Sequence, residues 1–170
     1  DNMAIHKVDG VDGDANFPKK FVRLNITLSA SASITKGQAV ALDLADTTNG
    51  LGGSVKLAPV GGAGNQAGAM CFGIANETIT NPSSSDAKSF VLQVQTAGKF
   101  EDAFVTNNVA AGDTLVGPLN GAVAGTLDEV TSSTFGGPIF GYALETEGTG
   151  AGESGTDLRA DIIIIDQGLF

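Results

Sequence analysis

The feature that most constrains how this chain can fold is a block of motifs that occurs twice. Each copy holds a short apolar run, an Asn-Gly pair, a second apolar run and a segment beginning with Phe-Gly. The two Phe-Gly segments, Phe72–Thr78 and Phe140–Thr146, differ at only two of seven positions. Because repetition at this scale is typical of one structural unit used twice, we predict two internally similar units, about residues 22–97 and 98–167.

The pattern inside each unit predicts short strands joined by tight turns. The 170 residues include 24 glycines, and apolar residues recur with a period of two more often than with a helical period. Asn49-Gly50 and Asn120-Gly121 can take the positive φ angles that a tight hairpin requires. We therefore predict an all-β fold, a small β-barrel or sandwich formed by one domain over residues 22–170, in which closing the sheet removes exposed edges.

Eight segments carry the clearest strand patterns: Val22–Leu28, Ala39–Leu42, Val55–Leu57, Phe72–Thr78, Phe90–Gln95, Lys99–Val105, Phe140–Thr146 and Leu158–Ile165. The run Ile162–Ile165 is apolar at every position, so we expect it to lie centrally and to be buried on both faces. Residues 81–85 and 128–137 are predicted to be loops, and residues 81–85 are expected to be exposed. Val123 is expected to lie in the segment that follows the second Asn-Gly turn.

Residues 1–21 are predicted to form an extended N-terminal arm outside the barrel. Asp9-Gly10, Asp12-Gly13 and Pro18 interrupt any regular element. Apolar residues lie between the charges of the arm, and basic residues lie at its base. This density of apolar residues favours an arm lying on a neighbouring subunit over a solvated tail. Calcium binding is the weaker alternative, because Phe17 and Arg23 occupy the places where a calcium loop needs Gly and Glu.

The charge distribution argues against two classes of partner. The net charge is −10, and residues 24–170 carry five basic against fifteen acidic side chains. Binding to phosphate groups depends on Lys and Arg, so we expect neither nucleic acid nor an anionic membrane as a partner. No apolar run approaches the roughly 20 residues of a membrane-spanning helix, and we expect a soluble protein.

Residue types that carry chemistry are few. His6 is the only histidine and Cys71 the only cysteine, so we expect no catalytic triad, no metal site and a buried, unreactive thiol. The glycine-rich residues 61–69 lack the Lys or helix of a phosphate-binding loop. Pairs such as Glu101-Asp102 and Asp128-Glu129 are expected to be surface carboxylates, since adjacent strand residues point to opposite faces. No catalytic residue and no cofactor is predicted.

Several motifs together resemble the capsid decoration, or cement, proteins of tailed bacteriophages. The similarity lies in Thr35–Val40, Phe72–Ala75, Ala111–Val116 with Asn120-Gly121, and Phe140–Glu145, and it extends over residues 22–167. It implies a β-tulip-like body, commonly trimeric, on the outer surface of an icosahedral head. It also implies an arm that reaches over neighbouring major capsid subunits, with no catalytic residues.

Under this resemblance the arm and its base hold the capsid-binding residues, which are Ile5, Lys7, Val8, Val11, Phe17, Lys19, Lys20 and Arg23. The apolar members would contact the shell and the basic members would meet its carboxylates. Three alternatives stay open: a receptor- or glycan-binding β module of a phage fibre or spike, a domain of a larger structural protein, and, with least support, a hydrolase. The low aromatic content, with no Trp and one Tyr, counts against the glycan module.

Overall fold

The computed structural model describes residues 18–46, 52–61, 71–107, 109–119, 122–130, 138–147 and 158–166. Within these residues the regular structure is all β, with no helix, and eleven strands follow in chain order. They are β1 (Lys20–Leu28), β2 (Ser33–Ile34), β3 (Ala39–Leu42), β4 (Ser54–Leu57), β5 (Cys71–Ala75), β6 (Ile79–Thr80), β7 (Lys88–Phe104), β8 (Thr114–Val116), β9 (Asp128–Glu129), β10 (Gly141–Ala143) and β11 (Arg159–Ile164).

Five strands close into a small β-barrel in the order β1-β4-β3-β5-β7, and β1 returns to pair with β7. The closing pair is antiparallel and runs the whole length of β1, from Lys20 opposite Ala97 to Leu28 opposite Lys88. The β1–β4 pair is parallel, and the other barrel pairs are antiparallel. The predicted barrel is therefore confirmed, and the pairing of β1 with both β4 and β7 removes a free edge.

Strand β7 carries the chain out of the barrel. Its second half pairs with β11, and β10, β8 and β9 extend the sheet beyond β11 in that order. The sequence predicted two strands here, Phe90–Gln95 and Lys99–Val105, and this prediction was wrong because the chain continues through residues 96–98 without leaving the sheet. Gly98, at φ +88°, supplies a conformation there that other residues rarely adopt.

Two hydrophobic cores lie on opposite sides of β3 and β5. Successive side chains of a strand point to opposite faces, so Val40 belongs to the barrel core while Ala39 and Ala41 belong to a second core. In β5, Phe72 belongs to the barrel core and Ile74 to the second core. These residues are two apart, and they face opposite sides because the register with β3 shifts here, which leaves Phe72 as an extra residue. The second core is formed mainly by residues 100–164, and it packs the added strands against the outside of the barrel.

The strands buried on both faces are thus β3 and β5, whereas the expectation for Ile162–Ile165 was wrong. β11 does lie inside the sheet, between β7 and β10. Ile162 and Ile164 are buried, but Ile163 and Ile165 are only half-buried. Nothing within the described residues covers that outer face of β11 completely, and its apolar side chains border a groove described below.

Strands β5 and β10 end earlier than predicted for the same physical reason. After β5, Glu77 Oε1 accepts a hydrogen bond of 2.7 Å from the Gln93 amide. After β10, Glu145 Oε1 accepts one of 3.0 Å from the Asp161 amide. The Asn76 and Leu144 amides still donate to the carbonyls of Gln93 and Asp161. Because the carboxylates occupy the backbone donors that a longer strand would use next, the chain leaves the ladder after residues 76 and 144.

Further sequence-based boundaries also need correction. Asn81, expected in an exposed loop, is 1% exposed, and its Nδ2 donates to the carbonyls of Leu28, Ser29 and Asp86.

Val123 lies in a loop, and the strand that pairs with β8 is β9, inside the predicted loop 128–137. Strand β1 begins at Lys20, two residues before the predicted start of the β domain at residue 22. Both Asn-Gly turns lie outside the described residues.

Candidate interaction surface

The surface centres on an irregularity in β7 where β1 begins. Lys20 pairs with Ala97 but Phe21 pairs with Gln95, so Thr96 is an extra residue in β7. The Gln95 side chain is 2% exposed, and its Nε2 donates to the carbonyls of Ala97 at 3.0 Å and Lys99 at 2.8 Å. A buried amide that bridges the bulge in this way holds the bulge in one shape.

Two cavities open on either side of the start of β1. Lys19 lines one cavity and Lys20 lines the other, as expected for consecutive residues of an extended chain. Gly98 and Lys99 are divided between the same two cavities. The point where the chain enters the barrel therefore lies between two distinct surfaces.

The larger cavity, which we call the apolar groove, has a volume of about 390 Å³. Tyr142 on β10, 41% exposed, lies opposite Ile163 on β11 and forms part of its wall. Lys20 and Asp166 form an ion pair between two half-exposed side chains. Such a pair stabilises a fold by only about 0–1 kcal/mol. The complete lining is Pro18, Lys20, Ala97, Gly98, Tyr142, Ile163, Ile164, Ile165 and Asp166.

The smaller cavity, which we call the lysine pocket, has a volume of about 80 Å³ and is lined mostly by polar atoms. Its lining comes from the start of β1, the turn before β3, the end of β5 and the middle of β7. The residues are Lys19, Lys36, Asn76, Gln95, Lys99, Phe100 and Glu101. Three of the nine basic residues of this acidic chain thus meet at one place.

Lys99 is a fixed cation in this pocket. Its Nζ lies 3.1 Å from an Asp161 carboxylate oxygen and 3.3 Å from Glu101 Oε1. Hydrogen bonding to Asp161, and then to Glu101, raises the pKa of Lys99 above its ordinary value. Lys99 therefore keeps its charge at neutral and mildly alkaline pH.

Lys36 is held by its backbone while its side chain stays exposed. Its amide donates to Thr78 Oγ1 at 3.0 Å, and its carbonyl accepts from the Arg159 guanidinium at 3.3 Å. The guanidinium also donates to the Asp102 carbonyl and stacks on the Phe104 ring, 3.3 Å from its centroid. Among the described residues, the Lys36 ammonium has no ion-pair partner.

The structure brings together only part of the predicted capsid-binding set. Lys19 and Lys20 lie at the two cavities, while Arg23 is exposed further along β1, opposite Gln93. The other members lie outside the described residues: Ile5, Lys7, Val8, Val11 and Phe17. Sequence reasoning missed Lys36 and Lys99, which line the lysine pocket with Lys19, and Tyr142, which lines the apolar groove with Lys20. Only the chain path brings residues so distant in sequence together.

Among the groups that the sequence analysis considered for chemistry, the Cys71 thiol is free and buried. Burial raises the pKa of the Cys71 thiol to about 12, so the thiol is protonated and unreactive at neutral pH. Among the described residues no group of His, Cys, Asp or Glu side chains is placed to hold a metal ion. None of the described segments forms a helix long and apolar enough to cross a bilayer. His6, residues 12–17 of the calcium loop that was the weaker alternative, and residues 62–69 lie outside the described residues, whereas Arg23 lies in β1.

The paired carboxylates differ from the expected alternation. Glu101 and Asp102 are both exposed, because the register with β11 shifts at this point and Asp102 has a φ of +61°. Asp128 accepts a hydrogen bond of 2.7 Å from Thr106 Oγ1. The neighbouring Glu129 is hydrogen-bonded to Asp113, and burial of Glu129 is the largest cause that raises its pKa.

No protein-family model matches this sequence, and no curated protein matches it either. The function is therefore inferred from the residues and their geometry.

Proposed function

We propose that this chain is a virion structural protein, a decoration or cement protein on the outer surface of an icosahedral phage head. It would stabilise the contacts between major capsid subunits by binding across them. A ligand that binds the assembled shell and not the separated subunits stabilises the shell by mass action. The proposal includes no catalytic step and no cofactor.

The observation that carries this proposal is the surface at the start of β1. An apolar groove and a cluster of lysines lie side by side where the N-terminal arm joins the barrel. Apolar contact supplies affinity, while charge complementarity supplies orientation and specificity. A body that presents both features at the base of an arm is suited to adhesion on a larger protein surface of mixed charge, whose carboxylates would meet the lysines.

We further propose that the chain contains two similar units joined within β7. Several backbone interactions occur at equivalent places in both proposed units and support this idea. The Thr35 and Ala110 amides each donate a hydrogen bond to a side-chain oxygen of the residue three positions later. Gly37 and Gly112 amides each donate to the alanine that ends a Phe-Gly strand, both at 2.9 Å. The unit boundary near residue 98 then falls at the β7 irregularity.

A trimer is the proposed assembled form, as the family resemblance implies. Three copies on one symmetry axis would each bring an arm and a basic surface to the shell. Linking weak contacts in this way raises the overall affinity by orders of magnitude without any new type of contact. Analytical ultracentrifugation of the free chain checks this point, and a purely monomeric particle at working concentrations contradicts it.

The direct test is co-sedimentation with undecorated shells of the virus that carries this chain. We predict that the full chain sediments with the shells and that a variant lacking residues 1–17 does not. The cut leaves β1 whole, since β1 begins at Lys20, so circular dichroism and thermal unfolding of the shortened variant should match the full chain. Undiminished shell binding by the shortened variant would remove the arm from the proposal.

Failure of the full chain to bind shells would contradict the proposed function as a whole. The alternative function, a receptor- or glycan-binding module of a fibre or spike, is tested with the same preparation on a glycan array. Saturable binding to one class of glycan, together with no shell binding, would replace the proposal by that alternative.

A further inference from the structure

We infer that the lysine pocket is a binding site for a single carboxylate group, the side chain of an Asp or Glu on the partner protein. This inference rests on the proposed function for the nature of the partner. It goes beyond that function by moving a specific contact from the arm to the folded body. Lys36 and Lys99 belong to it, although neither lies in the segment that the sequence suggested for binding.

The first argument is charge. The pocket lining holds three lysines and one acid, Glu101, in a chain whose net charge is −10. Lys99 is already shared between Glu101 and Asp161, whereas the Lys36 ammonium has no ion-pair partner among the described residues and can meet an incoming carboxylate. A cationic spot surrounded by acidic surface attracts an isolated carboxylate, while a polyanion such as nucleic acid would meet repulsion around the spot.

The second argument is preorganisation. The turn that carries Lys36 is fixed on both sides: the Gly37 amide donates to Ala75, and the Gly37 carbonyl accepts from Phe104. A Cβ at Gly37 would overlap the Asp102 carbonyl, so the turn packs closely on β7. The backbone positions of Lys36 and Lys99 relative to each other are therefore set before any ligand arrives, which lowers the entropic cost of binding.

The third argument is size. A volume of about 80 Å³ is well below the roughly 300–1,000 Å³ of sites for drug-sized ligands. It is sufficient for a carboxylate group with one or two waters. The pocket therefore fits the end of an acidic side chain that is delivered by a larger surface, and it does not fit a metabolite or a sugar ring.

The experiment uses the isolated full chain and acetate as the probe. The side-chain amides of Asn76 and Gln95 line the pocket and report on it in ¹H–¹⁵N spectra. At pH 7 and constant ionic strength, we expect these signals to shift in a saturable way with sodium acetate and not with sodium chloride. Lys36→Gln should raise the half-saturating acetate concentration about two- to fivefold, as expected for an exposed charge pair.

Lys88→Gln is the matched control, because Lys88 is an exposed lysine at the other end of β7. It should leave the acetate response unchanged. A response that is the same in Lys36→Gln and in the wild-type chain, or one that chloride reproduces, would overturn the site. A higher half-saturating acetate concentration in Lys36→Gln but not in Lys88→Gln supports it.

A second arm separates this inference from the proposed function. Lys36→Glu should weaken shell co-sedimentation, while Lys88→Glu, with the same change in net charge, should not. Unchanged shell binding by Lys36→Glu overturns the assignment of the partner carboxylate even if acetate binds. Absence of shell binding by the wild-type chain contradicts the proposed function, and the acetate titration then still decides whether the pocket binds a carboxylate.

Discussion

At the scale of single residues, Glu129 shows how neighbouring acids make a folded chain sensitive to pH. Burial, the hydrogen bond with Asp113 and the charges of Asp113, Asp128 and Glu147 raise its pKa above the ordinary value. Between the ordinary and the raised pKa the folded state binds more protons than the unfolded state. Ionisation of Glu129 therefore lowers the free energy of unfolding as pH rises through this window.

We predict that Glu129→Gln raises the thermal unfolding midpoint at pH 7, because glutamine carries no charge and its amide can donate to Asp113. The difference from the wild-type chain should shrink towards zero at about pH 3, below the ordinary glutamate pKa. Differential scanning fluorimetry across this pH range measures the effect. Asp86→Asn, an exposed carboxylate outside the cluster, serves as the control, and a lower midpoint for Glu129→Gln at pH 7 would contradict the prediction.

At the scale of elements, the Phe-Gly strands need glycine for close packing. A Cβ at Gly73 would overlap the Gln95 carbonyl of β7, and a Cβ at Gly141 would overlap the Ile163 carbonyl of β11. At Gly73 the Val94 side chain is a further obstacle. At both positions the backbone obstacle cannot move without disturbing a paired strand. The second residue of each Phe-Gly motif therefore determines how closely its strand approaches the neighbouring strand.

We predict that Gly73→Ala and Gly141→Ala each lower the free energy of unfolding by about 1–3 kcal/mol, the range for overpacked sites. Urea denaturation followed by circular dichroism measures the loss. Ser89→Ala, at an exposed position of β7, is the control and should stay within about 0.5 kcal/mol of the wild-type chain. Wild-type stability of either glycine variant would show that the strands separate at little cost.

At the scale of the whole molecule, the barrel and the added strands share their structural elements. Strand β7 pairs on both sides of the bulge, and β3 and β5 contribute side chains to both cores. Neither core can be dismantled while these strands keep their packing in the other. The two parts should therefore unfold together.

We predict one calorimetric transition in which the van't Hoff and calorimetric enthalpies agree, the test of two-state unfolding. Leu92→Ala in the barrel core and Leu127→Ala in the second core remove matched, fully buried side chains. Each should lower the same transition, at a cost of about 2–5 kcal/mol. Two resolved transitions, with each variant shifting only one of them, would show that the cores are independent.

Local sequence was sufficient for the fold class and for most strand positions, since an alternating pattern needs only the residues of the strand itself. Ala39–Leu42 was predicted to the residue, and β1 to within two residues. The continuity of β7 was not predictable, because Thr96–Gly98 reads as a break and only the buried Gln95 amide and the pairing with β1 and β11 keep it in the sheet.

The residues of the interaction surface were also predictable only in part. Lys19 and Lys20 were found from the sequence because they adjoin the arm, whereas Lys36, Lys99 and Tyr142 meet them only through the closed barrel and its added strands. Strand β3, with its small residues, is likewise buried on both faces, whereas β11, with its run of isoleucines, is buried on one face only. An alternating pattern records which side chains avoid water, while the partner on each face depends on which distant strands pack there.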